Sequence, residues 1–209
     1  MIEILNILEV KNHIEGLKAV IFDMDDTLYG EKEYVRSGYA KIAQVLPQVE
    51  NAAGKLWQLF EEKKPAIDEL LKQEDIDCEE TKKACLHAYR YQEPDIHLYP
   101  GVKELLEALR REGYLLGVIT DGRPEGQRAK IRALGLEELV DQIVVTDEFG
   151  GPEYRKPNPI AFETMKEKLN VAYAEMCYIG DNIKKDFIAP EQLGMRSIWF
   201  KNPDGLYVR

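Results

Sequence analysis

The 209-residue chain has few cysteines, histidines and tryptophans, no surplus of positive charge and no long apolar run. Each shortage removes a class of function. The three cysteines, Cys78, Cys85 and Cys177, show neither metal-ligand spacing nor a disulfide logic. Cys78 and Cys85 stand about two helical turns apart, which reads as coincidence or core packing. His13, His87 and His97 have no ligand spacing with one another, so they read as structural or solvent-facing. The formal net charge of −10 argues against a nucleic-acid partner, which asks for a basic patch. No apolar stretch approaches membrane-spanning length, and the first residues lack the basic-then-apolar order of a signal peptide. Repeats, low-complexity tracts and long linkers are missing as well. The expectation is a soluble, cytoplasmic protein, monomer or homodimer, that engages neither nucleic acid nor membrane.

What is present is ordinary globular material: 44% hydrophobic and 32% charged residues, in a chain long enough for one substantial core and a smaller lobe. Residues 1–18 offer Ile4, Leu5, Leu8 and Ile14 as one face of a short helix. Lys18–Phe22 reads as a buried strand, being a continuous β-prone run. From Glu31 to about Gln92 apolar residues recur at helical spacing in four segments, with Pro47 and Pro65 where helices end or begin. Strand and helix then alternate. A helix over Val102–Arg111 leads to a strand at Tyr114–Ile119, and a helix around Glu125–Leu134 stops at Gly135. A strand at Gln142–Thr146 precedes a polar loop and a helix over Asn158–Leu169. Met176–Ile179 is a strand, Ile183–Leu193 a helix ending at Gly194, and Arg196–Phe200 a strand. Such alternation predicts an α/β protein with a parallel sheet covered by helices on both faces.

The chemistry gathers at strand ends. Val20-Ile21-Phe22 runs straight into Asp23-Met24-Asp25-Asp26-Thr27, with three carboxylates in four positions. Side chains alternate along an extended strand, so Asp23 and Asp25 start on one side. A surface acidic turn would account for a lone Asp-x-Asp. Paired carboxylates at the rim of a sheet also suit a hard, oxygen-seeking cation such as Mg²⁺. Three further elements favour the second reading: Thr120-Asp121-Gly122 after a strand, Arg155-Lys156-Pro157 at a loop-to-helix junction, and Gly180-Asp181-Asn182 after a strand, with Asp186 following. In a doubly wound sheet all of these approach one rim. Together they offer a nucleophilic carboxylate, a second acid, a hydroxyl, an ammonium and metal ligands, the requirements for phosphoryl transfer. Arg36 and Arg123 are candidates to grip a second anionic group, or else ordinary surface arginines.

In the order and placement of these motifs the chain resembles the haloacid dehalogenase superfamily, from about residue 18 to the end. The resemblance implies a Rossmann-like core over 1–30 and 98–209, with 31–97 as an α-helical cap inserted after the first catalytic strand. It implies Asp23 as nucleophile, forming an aspartyl-phosphate, and Asp25 as general acid and then base. Thr120, with the backbone N–H of Asp121 and with Gly122, would bind the phosphoryl group, and Lys156 would neutralise Asp23. Mg²⁺ would be held by Asp23, the Asp25 carbonyl and Asp181, with Asp186 holding a metal-bound water or orienting Lys156. Dehalogenases and phosphonate-cleaving members of that superfamily lack the second aspartate, so Asp25 favours oxygen–phosphorus chemistry. Asp26 is expected to cap the turn. The implied activity is hydrolysis of a small phosphorylated metabolite, a sugar phosphate or nucleoside monophosphate. A phosphosugar mutase and a catalytically silent module are the alternatives.

Overall fold

The computed structural model describes residues 1–206. Six strands form one parallel sheet: β1 (Ile2–Ile4), β2 (Ala19–Phe22), β3 (Leu115–Thr120), β4 (Gln142–Val145), β5 (Met176–Gly180) and β6 (Arg196–Phe200). Their spatial order is β1-β6-β5-β2-β3-β4. β2 lies in the middle and is buried throughout. The chain passes from β2 to β3 on one side, and β5 pairs with β2 on the other, so β2 sits where the winding direction reverses. Ligands of open α/β sheets bind beyond the carboxyl ends of the strands at this point. Register brings the ends level: Phe22 is opposite Val118 of β3 and Ile179 of β5.

Helices cover both faces, as the alternating sequence predicts. Ala19 and Ile21 of β2 and Tyr178 of β5 pack with Ala161, Phe162 and Met165 of α8 (Ile160–Leu169) and Ala189 of α9 (Ile188–Leu193). Val20 and Phe22 alternate to the opposite face. There α5 (Val102–Arg111) contacts β3, its Val102, Leu105, Leu106 and Leu109 turned inward. α6 (Pro124–Ala133) and the short α7 (Leu136–Leu139) complete the crossover to β4. Gly117 leaves room for Met165, whose Sδ would lie 2.7 Å from a Cβ there.

Residues Met1–Glu31 and the chain from His97 on form one compact unit, and Lys32–Ile96 form a second. The second is helical: α1 (Glu31–Val45, its first residue in the other unit), α2 (Ala52–Glu61), α3 (Ala66–Gln73) and α4 (Glu79–Arg90). It has its own core, in which Tyr39, Ile42, Leu46, Leu56, Leu70 and Cys85 meet. Among the described residues no helix is long and apolar enough to cross a membrane.

Two segments differ from the sequence reading. Residues 1–18 are not one helix. Ile2–Ile4 pairs in parallel with β6, and Ile7–His13 forms a 3-10 helix capped reciprocally by Asn6 and Glu9. Ile4 and Ile14 are buried as expected, but Leu5 is 72% exposed. Without this strand β6 would carry an open edge, and pairing it outweighs a weak helical period. The helix read from Ile183 begins only at Ile188. Pro190 lacks an N–H and its ring would clash with the carbonyl of Asp186 in a longer helix, so residue 190 is admissible only in a first turn.

Candidate active site

β2 delivers Asp23 to the carboxyl edge of the sheet, where its backbone N–H bonds to the Ile179 carbonyl of β5 at 2.7 Å. The chain then turns through Asp26, at φ +53°. Asp26 anchors that turn: its carboxylate accepts from the backbone N–H of Glu31 at 2.9 Å and of Leu206 at 2.7 Å. Asp25 projects into the cleft with Asp23, and the two share a cavity of about 220 Å³ with Glu31, Asp121, Arg155, Asp181, Asn182 and Lys185. Thr120, the last residue of β3, is fully buried beside it.

Lys156 reaches the same point from the loop before α8. Its ammonium lies 2.6 Å from Asp23 Oδ1, 2.9 Å from Asp186 Oδ1 and 2.8 Å from the Tyr178 hydroxyl, and its side chain has no solvent exposure. Two supports hold that loop. Arg155 makes a two-pronged pair with Asp147, both contacts at 2.7 Å. Asp121 accepts from the Lys156 backbone N–H and the Thr146 hydroxyl, each at 3.1 Å, and from Lys185 Nζ at 2.6 Å. Asp121 is thus an organiser of three loops through its carboxylate, beyond the backbone role expected of it.

Asp181 follows β5, and its carbonyl accepts from the Trp199 indole N–H at 2.8 Å. Asp186 folds back so that its Oδ2 takes the Asn182 N–H at 2.9 Å. Gly180 makes room for this, because a Cβ would sit 2.6 Å from Asp186 Oδ2.

Three buried carboxylates, Asp23, Asp181 and Asp186, present ligand oxygens within 4.8 Å of one another. Lys156 is the cation that pairs with two of them, which leaves negative charge in excess. Burial pushes Asp23 up to about 7 despite the pull of Lys156. Burial and the charges of Asp23 and Asp186 push Asp181 up to about 9. Crowded, desolvated carboxylates of this kind fit a hard divalent cation, whose charge would relieve the repulsion.

Asp25 is in a different setting. Burial works against its charge, but the Lys130 ammonium and hydrogen bonds from Lys130, Tyr29 and Gln127 outweigh it and lower its pKa. Lys130 Nζ is 2.7 Å from Oδ1, which also takes the Tyr29 hydroxyl, and Gln127 Nε2 is 2.9 Å from Oδ2. Two acids two residues apart are therefore tuned in opposite directions. Nearby Glu31 is pushed up to about 8, by burial first and then by Asp25.

Asp23, Asp25, Thr120, Asp121, Lys156, Asp181 and Asp186, separated widely in sequence, meet at this rim. Gly122 follows directly in the β3–α6 turn, at φ +139°. Arg123 is exposed at the start of α6, outside the residues that line the cavity. Arg36 belongs to the helical unit, exposed, its guanidinium 3.7 Å from the centroid of the Trp57 ring. Gln127 and Lys130 were not anticipated. They share one helix face with the apolar Ile131 and Leu134, and all four are buried, but as polar residues of a helix they carry no sequence signal that they turn inward.

The fold and site define a class: doubly wound α/β proteins with a carboxylate cluster at the topological switch point. Within it, this chain belongs to the haloacid dehalogenase-like hydrolases, whose family pattern matches residues 20–200. It is 35% identical over 102 residues to a glyceraldehyde 3-phosphate phosphatase of Pyrococcus furiosus, a match covering 49% of this chain and 41% of that protein. That match spans well under half the length of the relative. A glyceraldehyde 3-phosphate phosphatase of Methanocaldococcus jannaschii is 29% identical over 199 residues, covering 87% of this chain and 84% of the other. Among solved structures, a HAD-hydrolase of Bacillus subtilis bound to magnesium superposes with a TM-score of 0.64 at 20% identity, covering 88% of this chain and 87% of that one.

Proposed function

We propose that the chain hydrolyses a small phosphomonoester metabolite through a covalent phosphoryl-Asp23 intermediate, with Mg²⁺ as cofactor. The observation that carries this reading is the placement of Asp23 between the Lys156 ammonium at 2.6 Å and the two further carboxylates that complete a metal-ligating cluster. A nucleophilic carboxylate must approach an anionic phosphoryl group, so catalysis depends on neutralising spread charge.

In the first step an Asp23 oxygen attacks phosphorus while the ester P–O bond breaks, and Asp25 gives the leaving oxygen its proton. Asp25 is held as a carboxylate before substrate binds. A phosphate dianion arriving beside it raises its affinity for a proton, which populates the acid form. In the second step Asp25 takes a proton from water as the water oxygen attacks phosphorus, releasing phosphate and restoring Asp23. The Thr120 hydroxyl and the backbone N–H of Asp121 serve the phosphoryl oxygens. Asp23, Asp181 and the Asp25 carbonyl would hold Mg²⁺, with Asp186 holding a metal-bound water or orienting Lys156, which it meets at 2.9 Å. Mg²⁺ when bound would supply neutralisation of the phosphoryl charge. The helical unit 32–96 is proposed as a cap that selects the leaving group, with Arg36 and Arg123 as candidate grips for a second anion.

The cavity volume suits a phosphoryl group with a small alcohol, and the named relatives put three-carbon sugar phosphates first among substrates to try. The test is phosphate release from a panel of triose, pentose and hexose phosphates, nucleoside monophosphates and small acid phosphates, each with Mg²⁺. Turnover of one or more with Asp23→Asn inactive is the expected result. No phosphate release from any of them overturns the reading.

A further inference from the structure

Asp25 is held from three directions, and two of the holding groups come from one helix. Lys130 Nζ donates to Oδ1 at 2.7 Å, and Gln127 Nε2 donates to Oδ2 at 2.9 Å. Gln127 uses its Nε2 a second time, on Thr120 Oγ1 at 2.5 Å. A side-chain amide offers two N–H donors, and both are thus spent on residues of the phosphoryl site. The opposite amide orientation would turn a carbonyl oxygen toward a carboxylate, so the donor orientation is the one the network demands. The Thr120 hydroxyl accepts from Gln127, which leaves its own proton to donate elsewhere.

Burying a lysine is costly, and the side chain of Lys130 is 6% exposed. Packing alone would place an apolar residue at that position, beside Ile131 on the inward face of α6. The contacts of Gln127 and Lys130 with Asp25 span more than 100 residues of chain. They tie the helix that follows Thr120 to the turn that follows Asp23.

We propose that Gln127 and Lys130 are positioning residues for this reaction: together they fix the carboxylate plane of Asp25 and the rotor of Thr120, so that proton transfer and phosphoryl binding are aligned by one helix. The proposal rests on the phosphatase reading and deepens it. Neither residue needs to touch substrate, because each acts through a group that does. A displacement of about 1 Å at a proton-transferring group costs on the order of 10²-fold in rate.

The test uses p-nitrophenyl phosphate, whose leaving group needs no proton, with rapid-mixing kinetics on the whole Mg²⁺-loaded enzyme. In Lys130→Met the burst of nitrophenolate should persist while the steady state slows on the order of 10²-fold, because breakdown of the phosphoenzyme needs Asp25 as base. Gln127→Leu, which also frees the Thr120 rotor, should slow both burst and steady state, the steady state more. Phosphoenzyme should accumulate in proportion. Placing Lys130→Met in an Asp25→Asn background should cost less than about 2-fold more, the signature of an effect routed through Asp25. Gln127→Leu removes a neutral group and leaves the Lys130–Asp25 pair, so it remains informative should Lys130→Met not fold.

A Lys130→Met or Gln127→Leu enzyme with wild-type steady state overturns the proposal, as does equal loss in burst and steady state in Lys130→Met. Undiminished loss of Lys130→Met in the Asp25→Asn background would move Lys130 to the phosphoryl group itself and overturn it as well. These outcomes presuppose wild-type turnover. A wild-type enzyme that never turns over removes the phosphatase reading, and this inference with it.

Discussion

The Lys156 ammonium meets the Asp23 carboxylate at 2.6 Å across 133 residues of chain, in a contact from which solvent is excluded on the lysine side. Lys156 also meets Asp186 at 2.9 Å, so one cation serves two buried carboxylates from two different strand ends. Replacing it with Met removes the directly paired cation of both. Loss of one partner from a buried ion pair costs about 3–5 kcal/mol. Lys156→Met should therefore be inactive and lose stability on that scale in urea unfolding with chelator present. Activity within 10-fold of wild type would remove Lys156 from the reaction.

The paired acids should separate by variant. Asp23→Asn removes the nucleophile, so turnover and any acid-stable radiolabelled phosphoenzyme should vanish. Asp25→Asn retains the nucleophile and loses proton transfer, which costs roughly 10²–10⁴-fold. It should still label with a substrate carrying a good leaving group. Labelling of Asp23→Asn would show that another residue attacks.

Metal and proton should compete for one cluster. Asp181 moves from its ordinary 3.8 up to about 9, and Asp23 up to about 7. Between these limits the folded metal-free protein keeps protons that the unfolded chain has released. Bound protons favour the folded state only while they stay bound, so stability in chelator should fall as pH rises from about 4 to about 9. Mg²⁺ replaces those protons, and it should raise Tm more at pH 8 than at pH 5. Aryl phosphate hydrolysis should stop with chelator and return with Mg²⁺. Full activity without metal, or a Tm indifferent to Mg²⁺ at pH 8, counts against the cluster as a metal site.

The arginines test the cap. Arg36→Ala and Arg123→Ala should raise KM for the best substrate of the panel while sparing p-nitrophenyl phosphate, the pattern of a remote grip that binds ground and transition states alike. Arg36→Ala should also cost about 0.5–1 kcal/mol through the lost stack on Trp57. Equal losses on both substrates would place the arginine at the transferring group. No loss on either would leave it an ordinary surface residue.

Gly180→Ala probes the metal cluster through the backbone. The added methyl would meet Asp186 Oδ2 at 2.6 Å and must push that carboxylate aside. The Mg²⁺ concentration for half-maximal activity should rise about 10-fold or more, as for other changes that disturb ligand orientation. An unchanged Mg²⁺ requirement would show that Asp186 is not needed where it stands.

Sequence alone was sufficient for what depends on local order. Continuous apolar runs ending in Asp23, Thr120 and Gly180-Asp181 set the strands and their functional ends, because a buried parallel strand has no polar face to interrupt it. Helical spacing between Glu31 and Gln92 set a separate all-helical unit, since four amphipathic segments can bury their apolar faces on one another. Local order could not reveal the edge strand Ile2–Ile4, whose reason is an unpaired β6 nearly 200 residues away. Nor could it tell which polar residues of α6 turn inward. Gln127 and Lys130 look like ordinary helix-surface residues until Asp25 and Thr120 are placed opposite them, and only the tertiary structure does that. The same holds for proton affinities: Asp23 and Asp25 are two positions apart and chemically identical. What separates them is burial beside Asp181 and Asp186 for one, and beside Lys130, Tyr29 and Gln127 for the other.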